Sequence, residues 1–267
     1  MDPSRLFDLT DRVAIVTGAA GQLGGQYCAA LLAAGAAVAA FDRDLARPGS
    51  RLAQLAGDRL LPLAVDVTEK KSIADGLART LAHFGPPQVL INNAAIDAPP
   101  DGAATDTGPF EDYPESAWDA LADVNLKGVF LCCQGVGAEM ARRGGGSIIN
   151  VSSIYATLAP DHRIYAYRDP PFFKPAGYGV TKAGVEQLTR YLAAYWAGRG
   201  VRVNTLVLGG VAHGQDERFV RAYAERVPLG RMARPDEYNG AVLFLASEAS
   251  SYMTGASVVL DGGYRCW

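Results

Sequence analysis

The side chains in this sequence best suited to proton transfer are Tyr178 and Lys182. Because an α-helix has about 3.6 residues per turn, residues four apart lie on one helix face. The ammonium group of Lys182 would then favour the phenolate form of Tyr178. Moving the pKa of a phenol from about 10 to near 7 takes roughly 4 kcal/mol, which a buried cation with a second positive charge nearby can supply. The result would be a proton acceptor suited to alcohol oxidation.

A glycine-rich segment near the beginning of the chain predicts a turn that binds a dinucleotide. Residues 12–18 have the pattern of a strand ending in Gly18, residues 22–34 that of a helix, and residues 37–41 that of a second strand. Glycines let the backbone approach a pyrophosphate, and a helix N-terminus offers it free N–H groups. Asp42 follows at about the spacing of an acid that binds the adenosine ribose. A carboxylate there favours NAD(H), and Arg43 beside it keeps NADP(H) as the alternative.

Composition excludes several classes of protein. The 267 residues are 49% hydrophobic, which is enough for a large core, and the net charge is −3 without a basic cluster, which argues against nucleic acid as a partner. Four cysteines without paired spacing predict reduced thiols in a cytoplasmic protein, and the three histidines lack the spacing of a metal site. We expect no signal peptide behind Met1. Residues 13–41 carry no charge, but glycines interrupt them, so a buried strand, helix and strand are expected rather than a membrane span.

Strand and helix patterns alternate along the rest of the chain. Strands are predicted at residues 60–65, 89–91, 147–152, 201–207 and 257–260, and helices at 69–84 and 115–143. A further helix holds Tyr178 and Lys182 and extends to about residue 197, and another begins at Pro235. Residues 97–113 are predicted as a loop because they are rich in Pro, Gly, Asp and Thr. This alternation predicts one α/β domain over residues 1–267, with a doubly wound, mostly parallel sheet and helices on both faces.

Eight short motifs occur in an order that resembles a known family. They are Thr17-Gly18 with Gly21 and Gly24, Asp66-Val67, Asn92-Asn-Ala-Ala95, Val124-Asn125, Ser152-Ser153, Tyr178-x-x-x-Lys182, Arg202-Val-Asn204 and Asp261-Gly-Gly263. Together they resemble the short-chain dehydrogenase/reductase family, over nearly the whole chain. The resemblance implies a Rossmann fold of usually seven strands, assembly into homotetramers or homodimers, and reversible hydride transfer between a nicotinamide and an alcohol or ketone carbon.

The resemblance also implies roles for individual residues. Tyr178 would be the acid/base, Lys182 would lower its pKa and hold the nicotinamide ribose, and Ser153 would bind the reacting oxygen. Ser153 is preferred to Ser152 because the family usually places the catalytic serine second. Asn125 would anchor a water, with a buried side chain bound to the backbone as the alternative. The cofactor is expected to contact Gly18, Gly21, Gln22, Leu23, Gly24, Asp42, Arg43, Asp66, Val67, Asn93, Ala94, Ala95, Tyr178, Lys182, Gly209 and Val211.

Two departures from the family pattern concern the substrate. The glycine spacing Gly18-x-x-Gly21-x-x-Gly24 resembles the extended branch, which includes epimerases and dehydratases, but the chain is too short for their separate substrate region.

Residues 155–177 form an insertion between two catalytic residues, so we expect it to shape the substrate pocket, with an oligomer contact or surface flap as the alternative. Residues 209–227 are expected to form a substrate lid. The substrate candidates are Ile154, Tyr155, His162, Arg163, Tyr165, Lys174, His213 and Gln215.

Within the family, the chain is similar to the flagellin-modification dehydrogenases of nonulosonic-acid sugar pathways. The shared stretches include residues 153–155, 160–165, 174–175, 191–196, 209–211, 215–216, 228–233 and 250–255. This implies NAD(H)-dependent oxidation or reduction of a sugar, amino sugar or sugar phosphate in biosynthesis, where Arg163 or Lys174 would suit a phosphate or carboxylate. The alternatives are an epimerase or dehydratase using transient hydride transfer, a reductase of another carbonyl such as a 3-oxoacyl group, and a non-catalytic nucleotide-binding protein.

Overall fold

The computed structural model describes residues 5–97 and 106–267, and its centre is a parallel sheet of seven strands. The strands are β1 (Val13–Thr17), β2 (Ala37–Asp42), β3 (Leu60–Ala64), β4 (Val89–Asn92), β5 (Gly146–Ser153), β6 (Val201–Leu208) and β7 (Ser257–Leu260). Their order in the sheet is β3-β2-β1-β4-β5-β6-β7. The predicted seven-stranded, doubly wound Rossmann sheet is therefore confirmed.

Eight α-helical segments cross between these strands in the described residues. They are α1 (Gln22–Ala33), α2 (Lys70–Phe84), α3 (Glu115–Ala122), α4 (Gly128–Cys132), α5 (Ala138–Arg143), α6 (Ala176–Trp196), α7 (Glu217–Ala224) and α8 (Asn239–Ala246). The π-helical turns Asp123–Lys127 and Cys133–Gly137 join α3, α4 and α5 into the single long helix that the sequence predicts. That helix ends where Gly144 adopts a left-handed conformation, with φ of 87°.

Two hydrophobic clusters cover the two faces of the sheet. One packs β1 and β2 against α1 and α8 through residues such as Tyr27, Leu31 and Val242. The other packs the opposite face against α2, the long helix and α6 through residues such as Ile73, Met140 and Trp196. Because both faces are covered, the strands carry continuous apolar runs instead of alternating polar residues. This explains the uncharged stretch 13–41, which forms β1, α1 and β2.

A third hydrophobic cluster lies at the carboxyl ends of β5, β6 and β7. It joins the insertion to the segment containing α7, through contacts of Tyr165 with Phe172 and Phe219 and of Phe219 with Tyr223. The predicted loop at 97–113 is described only in part, since residues 98–105 lie outside the described ranges; a short 3-10 turn occupies Phe110–Asp112. No helix within the described ranges combines the length and apolarity that a bilayer span requires.

Candidate active site

The predicted site residues gather at one edge of the sheet because all seven strands are parallel. Gly18 follows β1, residues 93–97 follow β4, Ser153 ends β5, and Gly209 follows β6. In an open sheet of this kind the carboxyl ends of the strands, where the strand order reverses, form a crevice. β1 and β4 are neighbours in the sheet although they are not consecutive in the chain, so the crevice opens between them.

The turn after β1 depends on glycine at two positions. Gly18 has φ of +63°, and a Cβ atom there would lie 2.8 Å from the Cα of Ala94. A Cβ atom on Gly24 would collide with the carbonyl oxygen of Gly18. Helix α1 therefore packs directly on the turn, and it begins without a side-chain cap or an acidic residue in its first turn. Its first N–H groups are thus available to an anion, which fits the pyrophosphate of a dinucleotide.

Asp42 is buried at the end of β2 with a fixed orientation. Its Oδ2 accepts a hydrogen bond from the Ala20 amide, and its Oδ1 accepts one from the Asp44 amide, both at 2.9 Å. Arg47 lies 3.9 Å from Oδ1. The carboxylate lines a cleft of about 470 Å³, as expected of an acid that binds ribose hydroxyls. Arg43 is exposed at the same cleft.

Most of the predicted cofactor residues line this cleft. They are Gly18, Gly21, Gln22, Leu23, Asp42, Arg43, Asp66, Val67, Asn93, Ala94 and Ala95. Asp66 accepts hydrogen bonds from the amide and hydroxyl of Thr68, at 2.8 and 2.7 Å, which lower the pKa of its carboxyl group. Gly24 lies behind the turn, whereas Gly209 and Val211 line the neighbouring pocket.

The neighbouring pocket, about 280 Å³ in volume, contains the residues predicted to be catalytic. Ser153, Tyr178 and Lys182 line this pocket, and Lys182 is buried with its Nζ donating to the Val151 carbonyl oxygen at 2.9 Å. The Oγ atom of Ser152 instead bonds to Glu186 Oε1 at 3.1 Å. Ser153, and not Ser152, is therefore the serine that interacts with the tyrosine.

The protein's own groups change the pKa of Tyr178 in the direction opposite to our expectation. Burial, followed by the negative charge of Asp97, raises the pKa of Tyr178 above its ordinary value, and the Ser153 side chain opposes this only in part. Burial also lowers the pKa of Lys182 to about 8, against the opposing influence of Asp97. In the protein alone, desolvation therefore disfavours both charged groups. The phenolate expected from Lys182 together with a second positive charge stays a prediction.

Asn125 is fully buried in the first π-helical turn of the long helix. Its Oδ1 accepts a hydrogen bond from the Ile96 amide at 2.8 Å, and its Nδ2 donates to the Ile96 carbonyl oxygen at 2.9 Å. The side chain therefore holds the segment after β4 in place, which is the backbone-bound role considered as the alternative. Its part in a water relay stays a prediction.

The structure divides the eight substrate candidates into two groups. Five line the catalytic pocket: Ile154, Tyr155, Tyr165, Lys174 and Gln215. The other three lie elsewhere. His213 lines the cofactor cleft, His162 packs against Phe173 with ring centroids 5.3 Å apart, and Arg163 is exposed and bound to Asp161. The expectation that Arg163 serves a phosphate or carboxylate is therefore wrong, because its charge is already compensated at the surface.

Several pocket residues escaped the sequence analysis. Asp97 lines both cavities and forms an ion pair with Lys174. Asp97 directly follows the Asn92–Ile96 segment, whose first four residues form a motif of the predicted cofactor site, so its position in the sequence indicates that it lies near the active site. Phe219, Tyr223 and Met232 also line the pocket. Phe219 and Tyr223 are four residues apart on α7, a spacing that places both on one helix face. No cluster of three or more metal-ligating side chains occurs in residues 5–97 and 106–267.

Comparisons with known proteins agree with this architecture. A family model described as enoyl-(acyl carrier protein) reductase matches residues 18–265. D-threitol dehydrogenase of Mycolicibacterium smegmatis is 37% identical over 97% of this chain and 94% of its own. Galactitol 2-dehydrogenase (L-tagatose-forming) of Cereibacter sphaeroides is 35% identical over the full length of both. A short-chain dehydrogenase from Leptospira borgpetersenii with bound NAD+ superimposes with a TM-score of 0.84 at 32% identity, over 96% of this chain and 94% of the other.

These matches cover nearly all of the chain, and its Ser153, Tyr178 and Lys182 converge at the carboxyl edge of a seven-stranded parallel sheet. The chain is an oxidoreductase that belongs to the short-chain dehydrogenase/reductase family.

Proposed function

We propose that this protein is an NAD(H)-dependent oxidoreductase that interconverts a secondary hydroxyl and a ketone on a polyol or a related sugar. The observation that carries the proposal is the junction of the two cavities. Leu23, Asn93, Ala95 and Asp97 line both of them. A dinucleotide in the larger cleft would therefore reach the pocket that holds Ser153, Tyr178 and Lys182.

The chain's own residues supply the proton chemistry. A bound nicotinamide would accept or donate the hydride. Because burial keeps the pKa of Tyr178 raised, its phenol holds its proton at neutral pH and can give it to a substrate carbonyl oxygen during reduction. In the reverse direction Tyr178 accepts the proton of the substrate hydroxyl as the phenolate, a form that the positive charge of a bound oxidised nicotinamide would favour. The Ser153 hydroxyl stabilises the negative charge that develops on the reacting oxygen. Lys182 is positioned one helical turn away to contact the ribose.

The choice of substrate class rests on the pocket and on the relatives. Tyr155, Tyr165, Lys174 and Gln215 give the pocket several hydrogen-bonding groups among apolar ones. Relatives that cover almost the whole chain are named for D-threitol and galactitol, both of which are neutral polyols. A pathway of nonulosonic-acid sugars, which the resemblance implies, is a narrower version of this proposal. An epimerase or dehydratase has only the glycine spacing in its favour, and the hydrogen-bonding groups of the pocket favour a polyol over a 3-oxoacyl chain.

NAD(H) is the proposed cofactor because Asp42 is buried, is held by two backbone amides and lines the cofactor cleft. A 2′-phosphate beside it would meet a fixed negative charge, which the exposed side chain of Arg43 would have to offset. Assembly into a homodimer or homotetramer, as the family resemblance implies, stays part of the proposal.

The test is the absorbance change at 340 nm with NAD or NADP and a panel of tetritols, pentitols, hexitols, sugar phosphates and simple secondary alcohols. We expect NADH to appear with the polyols, and the Tyr178→Phe variant to serve as the inactive control. Turnover confined to NADP would contradict the role of Asp42. Binding of NAD without turnover of any alcohol or of the matching ketones would contradict the proposed reaction.

A further inference from the structure

A second lysine reaches the catalytic pocket in addition to Lys182. Lys174 belongs to the insertion, and its side chain is only 7% exposed. Its Nζ lies 4.7 Å from the ring centroid of Tyr178 and 5.7 Å from that of Tyr155. Lys182, one helical turn from Tyr178, is farther from the same ring, at 5.8 Å. The insertion thus places a buried cation directly against the tyrosine predicted to be catalytic.

The charge of Lys174 is compensated by Asp97. The ammonium group is hydrogen-bonded to Asp97 Oδ2, and this pair joins the insertion to the segment after β4. The Asp97 side chain is 38% exposed and lines both the pocket and the cofactor cleft. The Asp97 carboxylate is therefore accessible to a molecule that enters the pocket. It also compensates the charge of Lys174, which would otherwise be a buried, unpaired cation.

The charged groups that line the pocket determine which substrates it favours. Among the described residues they are Asp97, Lys174 and Lys182. Lys174 is paired with a carboxylate, and Lys182 already donates to the Val151 carbonyl oxygen. A phosphate or carboxylate on a substrate would have to displace Asp97 or lie beside it, which costs electrostatic energy in a partly desolvated site. A neutral hydroxyl can instead donate to the carboxylate and accept from the ammonium group.

We propose that Asp97 and Lys174 form a specificity-determining pair that selects neutral polyhydroxyl substrates over sugar phosphates and sugar acids. In this arrangement the pair binds hydroxyl groups near the reacting carbon, one as acceptor and one as donor. The inference rests on the proposed polyol dehydrogenase function and specifies its substrate class. It differs from the sequence-based expectation, in which Lys174 serves an anionic group.

The test compares a hexitol with the sugar acid that has the same carbon skeleton, using the ratio of their kcat/KM values with NAD. We expect the wild-type enzyme to favour the hexitol. Asp97→Asn removes the negative charge and leaves the cation, so the ratio should shift at least about tenfold towards the acid. Lys174→Met leaves the carboxylate without a cation, so the ratio should shift the other way. The double variant should be weaker on both substrates, with a ratio between those of the single variants.

Opposite shifts distinguish specificity from a purely structural role, because a loosened insertion would reduce kcat/KM for both substrates alike. Lys174→Arg should keep the wild-type preference. Arg163→Gln, which removes a cation of the same insertion outside the pocket, should leave the ratio unchanged. Thermal melting and NAD titration establish that each variant is folded.

The outcomes separate this inference from the proposed function. Turnover of the hexitol with ratios that agree within about twofold among wild type, Asp97→Asn and Lys174→Met would overturn the inference alone. A wild-type preference for the sugar acid would overturn it as well. Absence of turnover for the wild type with every polyol would overturn the proposed function, and with it the inference.

Discussion

The cofactor cleft and the substrate pocket share one edge of the sheet but are built in different ways. The cleft is shaped mainly by backbone: the turn at Gly18, the uncapped first turn of α1, and the amides that hold Asp42. The pocket is shaped mainly by side chains from several segments, which include the residues after β4, the end of β5, the insertion, α6 and the region around α7. Backbone geometry is fixed by the fold, whereas side chains on added segments can change without disturbing the sheet.

This difference indicates how reaction type and substrate choice are separated in the molecule. Ser153 lies on β5 and Lys182 on α6, and both elements belong to the packed sheet and its helices. Tyr165, Lys174 and Phe219 sit on segments that pack mainly against each other. We therefore expect substitutions in the first group to abolish chemistry or cofactor binding, and those in the second to change KM and substrate preference. Four predictions test this separation.

Tyr178→Phe should have the largest effect on activity. It removes the hydroxyl that exchanges the proton and leaves the ring in place, so kcat should fall by about 10²–10⁴-fold, the typical contribution of a positioned acid/base. The Kd for NAD should change less than about threefold, because the phenol faces the substrate pocket. Steady-state kinetics and calorimetry measure the two quantities. Activity within tenfold of wild type would rule out Tyr178 as the acid/base.

Gly24→Ala should disrupt the cleft while leaving the pocket residues unchanged. The added Cβ would collide with the Gly18 carbonyl oxygen, so α1 must move away from the turn. We expect the free energy of unfolding to fall by about 2–3 kcal/mol and NAD affinity to fall with it. Gly240→Ala is the matched control, because nothing lies within 4 Å of its added Cβ. That variant should be equally stable or up to about 1 kcal/mol more stable. Equal denaturant midpoints for the two variants would contradict this account.

Comparison with Lys182→Met should show how the buried lysine makes the free energy of unfolding depend on pH. The pKa of this group is about 8 in the folded protein and 10.5 in its ordinary state. Between these values the unfolded chain binds more protons, so the stability of the wild type rises with pH. Relative to Lys182→Met, the wild type should gain about 2 kcal/mol between about pH 7.5 and 9.5. Urea unfolding of both proteins at the two pH values measures this difference. A constant difference would mean that the folded lysine titrates normally.

The sequence predicted the cofactor cleft better than the substrate pocket for a physical reason. The cleft follows from local patterns, such as strand, glycine turn, helix and Asp42, whose consequences extend over a few residues. Gly18 and Asn93 also come together simply because parallel strands end at the same edge. The seven strands and the long helix with Asn125 could be predicted on the same grounds, from apolar runs and helix-ending glycines.

The pocket depends on contacts between distant segments, which spacing does not reveal. Lys174 was expected to meet an anion of the substrate, but Asp97 lies 77 positions away and already compensates it. Arg163 is a second cation of the insertion, but its partner Asp161 is only two residues away and also binds Arg226 of the predicted lid. For Lys174, nothing in the local sequence indicates that a carboxylate compensates its charge. Spacing also does not report burial, which raises the pKa of Tyr178 in the protein alone.

Arg226→Gln should have the smallest effect and test whether the insertion and the predicted lid, residues 209–227, act together. Arg226 is ion-paired with Asp161 of the insertion, and both side chains are partly exposed. Exposed pairs contribute about 0.2–1 kcal/mol, so stability should hardly change. Because the pair ties the two segments that enclose the pocket, KM for the polyol should rise about two- to threefold while the Kd for NAD stays constant. Lys71→Gln, which breaks an exposed pair with Asp75 on α2, is the control and should change neither constant. A loss of NAD affinity that matches the rise in KM would show that the cofactor cleft and the substrate pocket are coupled, which would contradict the proposed separation.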